Sequence, residues 1–446
     1  MRPGDRAMTS ATPRHRALRG RILTFTGDPL EVGEAASHRY LEDGIVLVED
    51  GRIVAVGDAS EMLRQMPEGT PVDDHAGHLI LPGLIDTHIH LPQTQVIGSH
   101  GAQLLEWLQK YTFVEEQKFE DPAHAARVAR FFLDELLRHG TTTAVVYGSV
   151  HPESIDAFFA ESERRNTRMI AGKVMMDRGA PAPLLDTAEQ GYRDSKALIE
   201  RWHDRGRQHY AVSPRFAVTS SDAQLEAAGA LVAEHPDCYV QTHLCENLAE
   251  IATVRRLFPW AKSYTGVYEH FGLLGQRSLF GHCIHLEEME IELLSASRSI
   301  AALCPTSNLF LGSGLFDWQT LRGSARPVRV SLATDVGGGT SYSMLRTAAE
   351  AYKVVQLRGH SWSALEAFYA ITLGNARALG LEGRIGSLEP GTEADMIVLD
   401  SHATPAMAHR METVETLAEE LFMLLILGDE RALRATYVMG EPVSEI

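Results

Sequence analysis

Eight short apolar runs recur through the middle of this chain: "LILPGLID", "TTTAVVYG", "RMIAGKVMM", "YAVSPRFAV", "CYVQTH", "SLFGH", "SIAALCP" and "VRVSLATD". Each reads as a strand, and helical patterns fill the spaces between them. Strands joined through a helix-length crossover return to the same end of a sheet, so they pair in parallel rather than as hairpins. Eight such units close as a (β/α)8 TIM-type barrel. The same units left open make a doubly wound sheet, the alternative architecture. The clearest helix starts at Asp121-Pro122, a capping residue followed by a proline whose missing N–H needs no partner at a first helical position. Its apolar face is expected to carry Val128, Phe131, Phe132, Leu136 and Leu137, and it stops at His139-Gly140, a C-terminal glycine signal.

The two ends of the chain follow a different rhythm. "GIVLVEDGRIVAVG", residues 44–57, reads as two strands joined at Asp50-Gly51, a strong hairpin signal. "GSLEPGTEADMIVLD" and "RATYVMGEPV" are again short strands between turn residues. The expected organisation is a flexible N-terminal extension over residues 1–19, a small composite β-sandwich domain from 20–80 plus 385–446, and the barrel over 81–384.

Charge narrows the partners. Forty-one Lys and Arg against 59 Asp and Glu leave a net charge of −18. Such a surface repels phosphate backbones, so neither nucleic acid nor an anionic membrane is expected, while a neutral small molecule is compatible. No apolar stretch approaches the roughly 18 residues of a membrane span. The opening "MRPGDRAMTSATPRHRALRG" lacks the apolar core of a secretory signal. Cys238, Cys245, Cys283 and Cys304 form no CxxC pair and sit in apolar or histidine-bearing runs, which reads as reduced thiols in a reducing compartment. A cytoplasmic location is expected.

Side chains alternate faces along a strand, so His88 and His90 in "PGLIDTHIH" point the same way and form half of a rigid metal site. In a barrel, function gathers at the C-terminal ends of strands. His88 and His90 end the first run. His243 ends the fifth in "YVQTHLCEN", with Glu246 three residues beyond; His282 ends the sixth in "LFGHCIHL"; Asp335 ends the eighth in "SLATDVGGG". Any one of these is explicable as a core or turn residue. Together on one rim they point to a metal-dependent site with nitrogen and oxygen ligands, which suits zinc; iron and manganese are the other metals such a set takes.

The order HxH, His-x-x-Glu, His, Asp resembles the mononuclear deaminase branch of the amidohydrolase superfamily. "PGLIDTHIHLPQ", "LLEWLQKYTF", "HGTTTA", "AGKVMMDR", "SPRF", "QTHLCEN", "CPTSNLFLGSG" and "TDVGGGTSYSML" are similar to its guanine deaminases, in order, from about Gly20 to the C-terminus. Two departures are small: Gly281 stands where that family usually has Ala, and Ala333 where it more often has Gly. The resemblance implies one zinc ion per subunit on His88, His90, His243 and Asp335, and hydrolysis of guanine to xanthine and ammonia. Zinc lowers the pKa of its water from about 15.7 toward about 7, making hydroxide available at neutral pH. Asp335 would take that water's proton, Glu246 would donate to a ring nitrogen and then to the departing amine, and His282 would hold and polarise the hydroxide. Ligation of the metal by His282 is the alternative. A homodimer is implied by resemblance only.

For the substrate, Arg215 in "SPRF" offers a fixed donor fork suited to a carbonyl, and Gln93 an amide that donates and accepts. Trp107 and Phe216 can wall a flat heterocycle. All four resemble guanine-pocket residues, alongside His243, Glu246 and Asp335. Two other readings compete: a deaminase or dechlorinase of another aminated heterocycle, such as a pterin or triazine, and a non-catalytic assembly protein. The first would lack Arg215 with "EWL"; the second would have lost ligands. His285-Leu286-Glu287 spells the H-x-E of cytidine-type deaminases but has no P-C-x-x-C partner. Lys173 reads as structural rather than as a metal-bridging lysine, and Gly337 to Gly339 lack the Lys-Ser/Thr of a phosphate loop.

Overall fold

The computed structural model describes residues 14–100, 103–323 and 325–443. Four strands open the chain: β1 (His15–Phe25), β2 (His38–Glu49), β3 (Arg52–Asp58) and β4 (Val72–Pro82). Nine follow in the middle: β5 (Leu84–His90), β6 (Thr141–Tyr147), β7 (Arg168–Gly172), the short β8 (Val174–Met175), β9 (Gln208–Pro214), β10 (Tyr239–Leu244), β11 (Ser278–His282), β12 (Ile300–Leu303) and β13 (Arg329–Leu332). β14 (Met396–Leu399), β15 (Leu433–Val438) and β16 (Glu441–Pro442) close it.

The first four and last three strands make one mixed sheet in the order β16-β15-β14-β4-β1-β2-β3. Asp50 (φ 49°) and Gly51 (φ 82°) turn β2 into β3, both left-handed as a two-residue hairpin with the right twist demands. The sheet curls over a core of Leu18, Ile22, Val46, Val48, Ile80, Met396 and Val398 until Ile53 N donates to Thr392 O at 2.9 Å. The expected flexible extension does not reach residue 19. Its residues 1–13 lie outside the described residues, but β1 already begins at His15, with Ala17 and Leu18 fully buried. Arginines hid the strand: Arg16 pairs with Asp73 at 2.8 Å and Arg19 forks onto Asp43, acidic partners that only the fold supplies.

β5, β6, β7 and β9 to β13 run parallel around a barrel. Its first and last strands meet through Asp335 N to His88 O and His90 N to Val336 O, both 2.9 Å. The run "LILPGLID" proves to be two strands: Leu79 to Pro82 end β4 in the small sheet, and the barrel starts at Leu84. Gly83 is the hinge, where a Cβ would lie 2.1 Å from Thr142 Oγ1.

The helix Pro122–Arg138 is capped by Asp121, which accepts from Ala123 N at 2.9 Å, and covers the barrel with Ala125, Val128, Ala129, Phe132, Leu133, Leu136 and Leu137. Burying each of its larger side chains contributes about 1.5–3 kcal/mol. Phe131 is instead 51% exposed, because the buried arc runs through Ala129, Phe132 and Leu136 and leaves Phe131 beyond its flank. Beneath the barrel, Arg168 Nε and Arg207 Nη2 donate to Glu393 Oε2 at 2.8 and 2.6 Å, and Arg207 also pairs with Asp395. These ties join β7 and the entry to β9 to the segment leading into β14. Among the described residues no helix is long and apolar enough to cross a membrane.

Candidate active site

Alternation along β5 does bring His88 and His90 to the same face, with Nε2 atoms 3.3 Å apart. Asp86, two residues earlier, staples that strand to the segment after β13, where the barrel closes: Oδ1 accepts from His88 N at 3.2 Å and Thr334 N at 3.1 Å, and Oδ2 from Thr334 Oγ1. Burial pushes the Asp86 carboxyl up to about 6, although these hydrogen bonds oppose the shift. Asp335 lies three residues past β13 in a left-handed conformation (φ 53°), as do His282 (φ 72°) and Cys245 (φ 51°) just before Glu246. Non-glycine residues held there at three strand ends are strain that surrounding packing must maintain, a common property of functional sites.

His243 Nε2 lies 3.3 Å from His90 Nε2, and Asp335 Oδ1 lies 3.1 Å from His90 Nε2 and 3.4 Å from His88 Nε2. The His243 ring is oriented by its other nitrogen, which donates to Arg215 O at 2.8 Å, so the Nε2 lone pair faces inward. Burial and neighbouring imidazoles hold His243 well below the usual histidine range, and burial takes His90 down to about 3. Burial would raise Asp335, yet hydrogen bonds with His88 and His90 outweigh it and keep the carboxylate ionised. Three imidazole nitrogens and one carboxylate oxygen thus converge on a single buried point, where a cation would take all four as ligands. The donor set therefore fits a divalent metal, three nitrogens and one oxygen being a zinc-type environment. An overlapping group, His88, His282, Cys304 and Asp335, fits less well, because burial raises the Cys304 thiol and keeps it protonated.

Glu246 is buried beside this set. Its Oε2 is 3.3 Å from His282 Nε2, and its Oε1 accepts from Ser313 Oγ at 3.0 Å. Burial first, then the charge of Asp335, push Glu246 up to about 8, so it carries a proton at neutrality. His282 Nδ1 meets Asn308 Oδ1 at 2.9 Å, and its Nε2 is 3.7 Å from Asp335 Oδ2. Glu250 Oε2 accepts from Glu246 N and Asn247 N, fixing the turn that carries Glu246. The arrangement provides one neutral carboxyl and one ionised carboxylate bracketing a histidine, which is a proton donor and a proton acceptor in one site.

A small cavity of about 30 Å³ opens on these groups, lined by Gln93, Leu104, Trp107, Leu108, Arg215, Phe216, His243, Glu246, His282, Leu311, Asp335 and Gly338. Every substrate contact expected from the sequence is among them. The donor fork of Arg215 is less free than expected, since Nη1 is taken by both oxygens of Glu116 at 2.9 and 2.6 Å. Gln93 Oε1 accepts from Gly337 N at 3.2 Å. Gly281 also has more consequence than its size suggests: a Cβ there would come 2.5 Å from His88 Cε1. Lys173 is fully buried and pairs with Asp186 Oδ2 at 2.7 Å, and His285 Nε2 donates to Ser313 O, so neither belongs to the donor set. Sequence reasoning missed Glu116, Asn308, Ser313 and Asp86. Asn308 and Ser313 stand inside "CPTSNLFLGSG" and Asp86 inside "PGLIDTHIH", but nothing local marks which polar residue of a motif turns inward.

Fold and donor set together define a (β/α)8 barrel of the metal-hydrolase type. The chain belongs to the amidohydrolase family, whose description matches residues 79–443; a short second match, over residues 46–65, is to the imidazolonepropionase-like composite domain of bacteria. It is 48% identical to the guanine deaminase of Escherichia coli (strain K12) over 437 residues, 96% of this chain and 98% of the relative. The solved structure of the E. coli guanine deaminase superposes with a TM-score of 0.94, covering 96% of this chain and 99% of that one. A guanine deaminase from C. acetobutylicum, solved with guanine bound in its active site, is 28% identical with a TM-score of 0.86, covering 96% of this chain and all of that one.

Proposed function

We propose that this protein is a hydrolytic deaminase that converts guanine and water to xanthine and ammonia. The observation carrying the reading is the cavity in which a protonated Glu246 and an ionised Asp335 flank His282 while Arg215 and Gln93 line the same space; near full-length likeness to guanine deaminases supports the substrate. His88, His90, His243 and Asp335 would hold one zinc ion, which when bound supplies the Lewis acidity that makes water nucleophilic at neutral pH.

The chain's own groups do the rest. Trp107 and Phe216 flank the flat ring, and Arg215 donates to its carbonyl, aiming the amine-bearing carbon at the converged donors. Asp335 accepts a proton from the attacking water. Glu246 gives its proton to the ring nitrogen beside the reacting carbon, carries the added oxygen's remaining proton to the departing amine, and is restored by the proton that Asp335 took, so the two water protons are accounted for by product and ammonia. His282, held by Asn308, orients the attacking oxygen. A cytoplasmic site of action is supported by the four cysteines, all buried and free; the homodimer rests on resemblance, and sedimentation of the purified protein tests it.

Adenine tests the reading directly. It carries an amine where guanine carries its carbonyl, so Arg215 would face a donor, and sites built to bond a polar group reject the wrong analogue by about 10⁴ or more. Ammonia release should be robust on guanine and negligible on adenine, and Arg215→Ala should abolish guanine turnover with zinc retained. Comparable rates on adenine, or a wild-type-like Arg215→Ala, would refute the guanine pocket.

A further inference from the structure

A charged pair, Arg215 and Glu116, stands at the cavity wall; only Arg215 lines the cavity, and the proposed chemistry uses only that member. Glu116 is 1% exposed and Arg215 3%, and both oxygens of Glu116 accept from Arg215 Nη1. Gln93 Nε2 lies 3.4 Å from Glu116 Oε1, and the Arg215 guanidinium sits 5.4 Å from the centre of the Phe113 ring. Ser149 Oγ donates to Glu116 O at 3.0 Å, fixing the turn of chain that carries the carboxylate. Leu104, Trp107 and Leu108 of the same segment line the cavity. One stretch of chain thus supplies both an apolar wall and the counter-charge of the substrate-facing arginine. Among the described residues, Arg215 Nε and Nη2 have no protein acceptor, so the fork still has donors to give.

A buried guanidinium without a partner is an anion receptor, because carboxylates and phosphates match its geometry and its charge. Balanced by a carboxylate a hydrogen bond away, it still donates to a carbonyl but gains little from a full negative charge, which Glu116 would repel. We propose that Glu116 is a specificity-determining residue that cancels the charge of Arg215, so that the pocket accepts uncharged oxo-heterocycles and turns away anionic ones. This rests on the reading of Arg215 as the donor to the substrate carbonyl. It bears on the product as well: replacing an amine by a second carbonyl makes the ring more acidic, so the conjugate base of the product is the species this balance disfavours.

Imidazole-4-carboxamide and imidazole-4-carboxylate probe the charge alone. Both place an oxygen beside a five-membered ring and lack the amine that reacts. Calorimetry on zinc-loaded protein at one pH gives the ratio of carboxylate to carboxamide affinity, and comparing variants cancels any attraction of the metal for the anion. In Glu116→Gln that ratio should rise about tenfold or more. Glu116→Asp, which keeps the charge, should leave it near the wild-type value while weakening both probes. The double variant Glu116→Gln/Arg215→Gln removes both charges and should also leave the ratio near wild type, and it holds the test if the single variant fails to fold. An unchanged ratio in folded Glu116→Gln, a large rise in the double variant, or a wild type that binds neither probe would overturn the proposal. Ammonia release from guanine tests the underlying reading separately.

Discussion

Each end of the barrel buries a glutamate, Glu393 below and Glu246 above, and the two are kept in opposite states. Beneath the strands Glu393 faces Arg168 and Arg207; burial alone would raise its carboxyl, but the two arginines hold it down at about 2. Above the strands Glu246 meets a histidine and a serine, and burial takes it up to about 8. The amino acid is the same, and both side chains are buried. The neighbouring cations differ, and so does the role each group can play. A carboxylate that ties two sheets together is given arginines, whereas a carboxyl that must hold and release a proton near neutrality is denied them. Glu116 is the instructive exception on the upper face, where an arginine partner suits a residue that sets charge balance rather than moves a proton.

The largest effect should come from the upper donors. His243→Ala should bring turnover to background and deplete zinc, measured by metal analysis on folded protein; full activity with normal metal would remove His243 from the set. Glu246→Gln should cost on the order of 10²–10⁴ in kcat with zinc retained and the thermal midpoint unchanged or higher, since a buried proton-carrying acid is replaced by a neutral amide. Loss of zinc alongside activity would make Glu246 a ligand and collapse the contrast between the two ends. Gly281→Ala, which pushes a methyl against the His88 ring and makes that ring shift, should weaken metal binding only a few-fold, read by competition with a chelator.

On the lower face the readout reverses. Glu393→Gln leaves two buried arginines short of counter-charge and should destabilise by about 3–5 kcal/mol in denaturant unfolding, with kcat unchanged in the protein that remains folded. The smallest effect is on pH dependence. The Glu393 carboxyl lies below its ordinary 4.5, at about 2, so its contribution is fully present above pH 4.5 and is lost as the pH falls toward 2. Wild-type stability should therefore decline through that window more steeply than that of Glu393→Gln. Parallel declines would mean the lower carboxylate is not the group that titrates.

The sequence by itself determined what periodicity and short-range chemistry govern. His88 and His90 share a face because successive strand residues must alternate, Asp50-Gly51 turns a hairpin because both positions are left-handed, and Asp121-Pro122 starts a helix because an unpaired N–H is harmless there. The rim of strand ends followed from the alternation of strands and helices, so His88, His90, Glu246, His282 and Asp335 could be read as candidates one motif at a time. Pairing through space was not legible. Glu116 and Arg215 are 99 positions apart, Arg207 and Glu393 are 186 apart, and nothing near either residue names its partner. The same blindness joined β4 to β5 across Pro82-Gly83, put Phe131 on the core face, and left His15 to Arg19 as a tail. Which of two apolar strands enters which sheet, and whether a buried carboxyl meets an arginine or a histidine, depend on contacts between segments far apart along the chain, and only the folded protein brings those segments together.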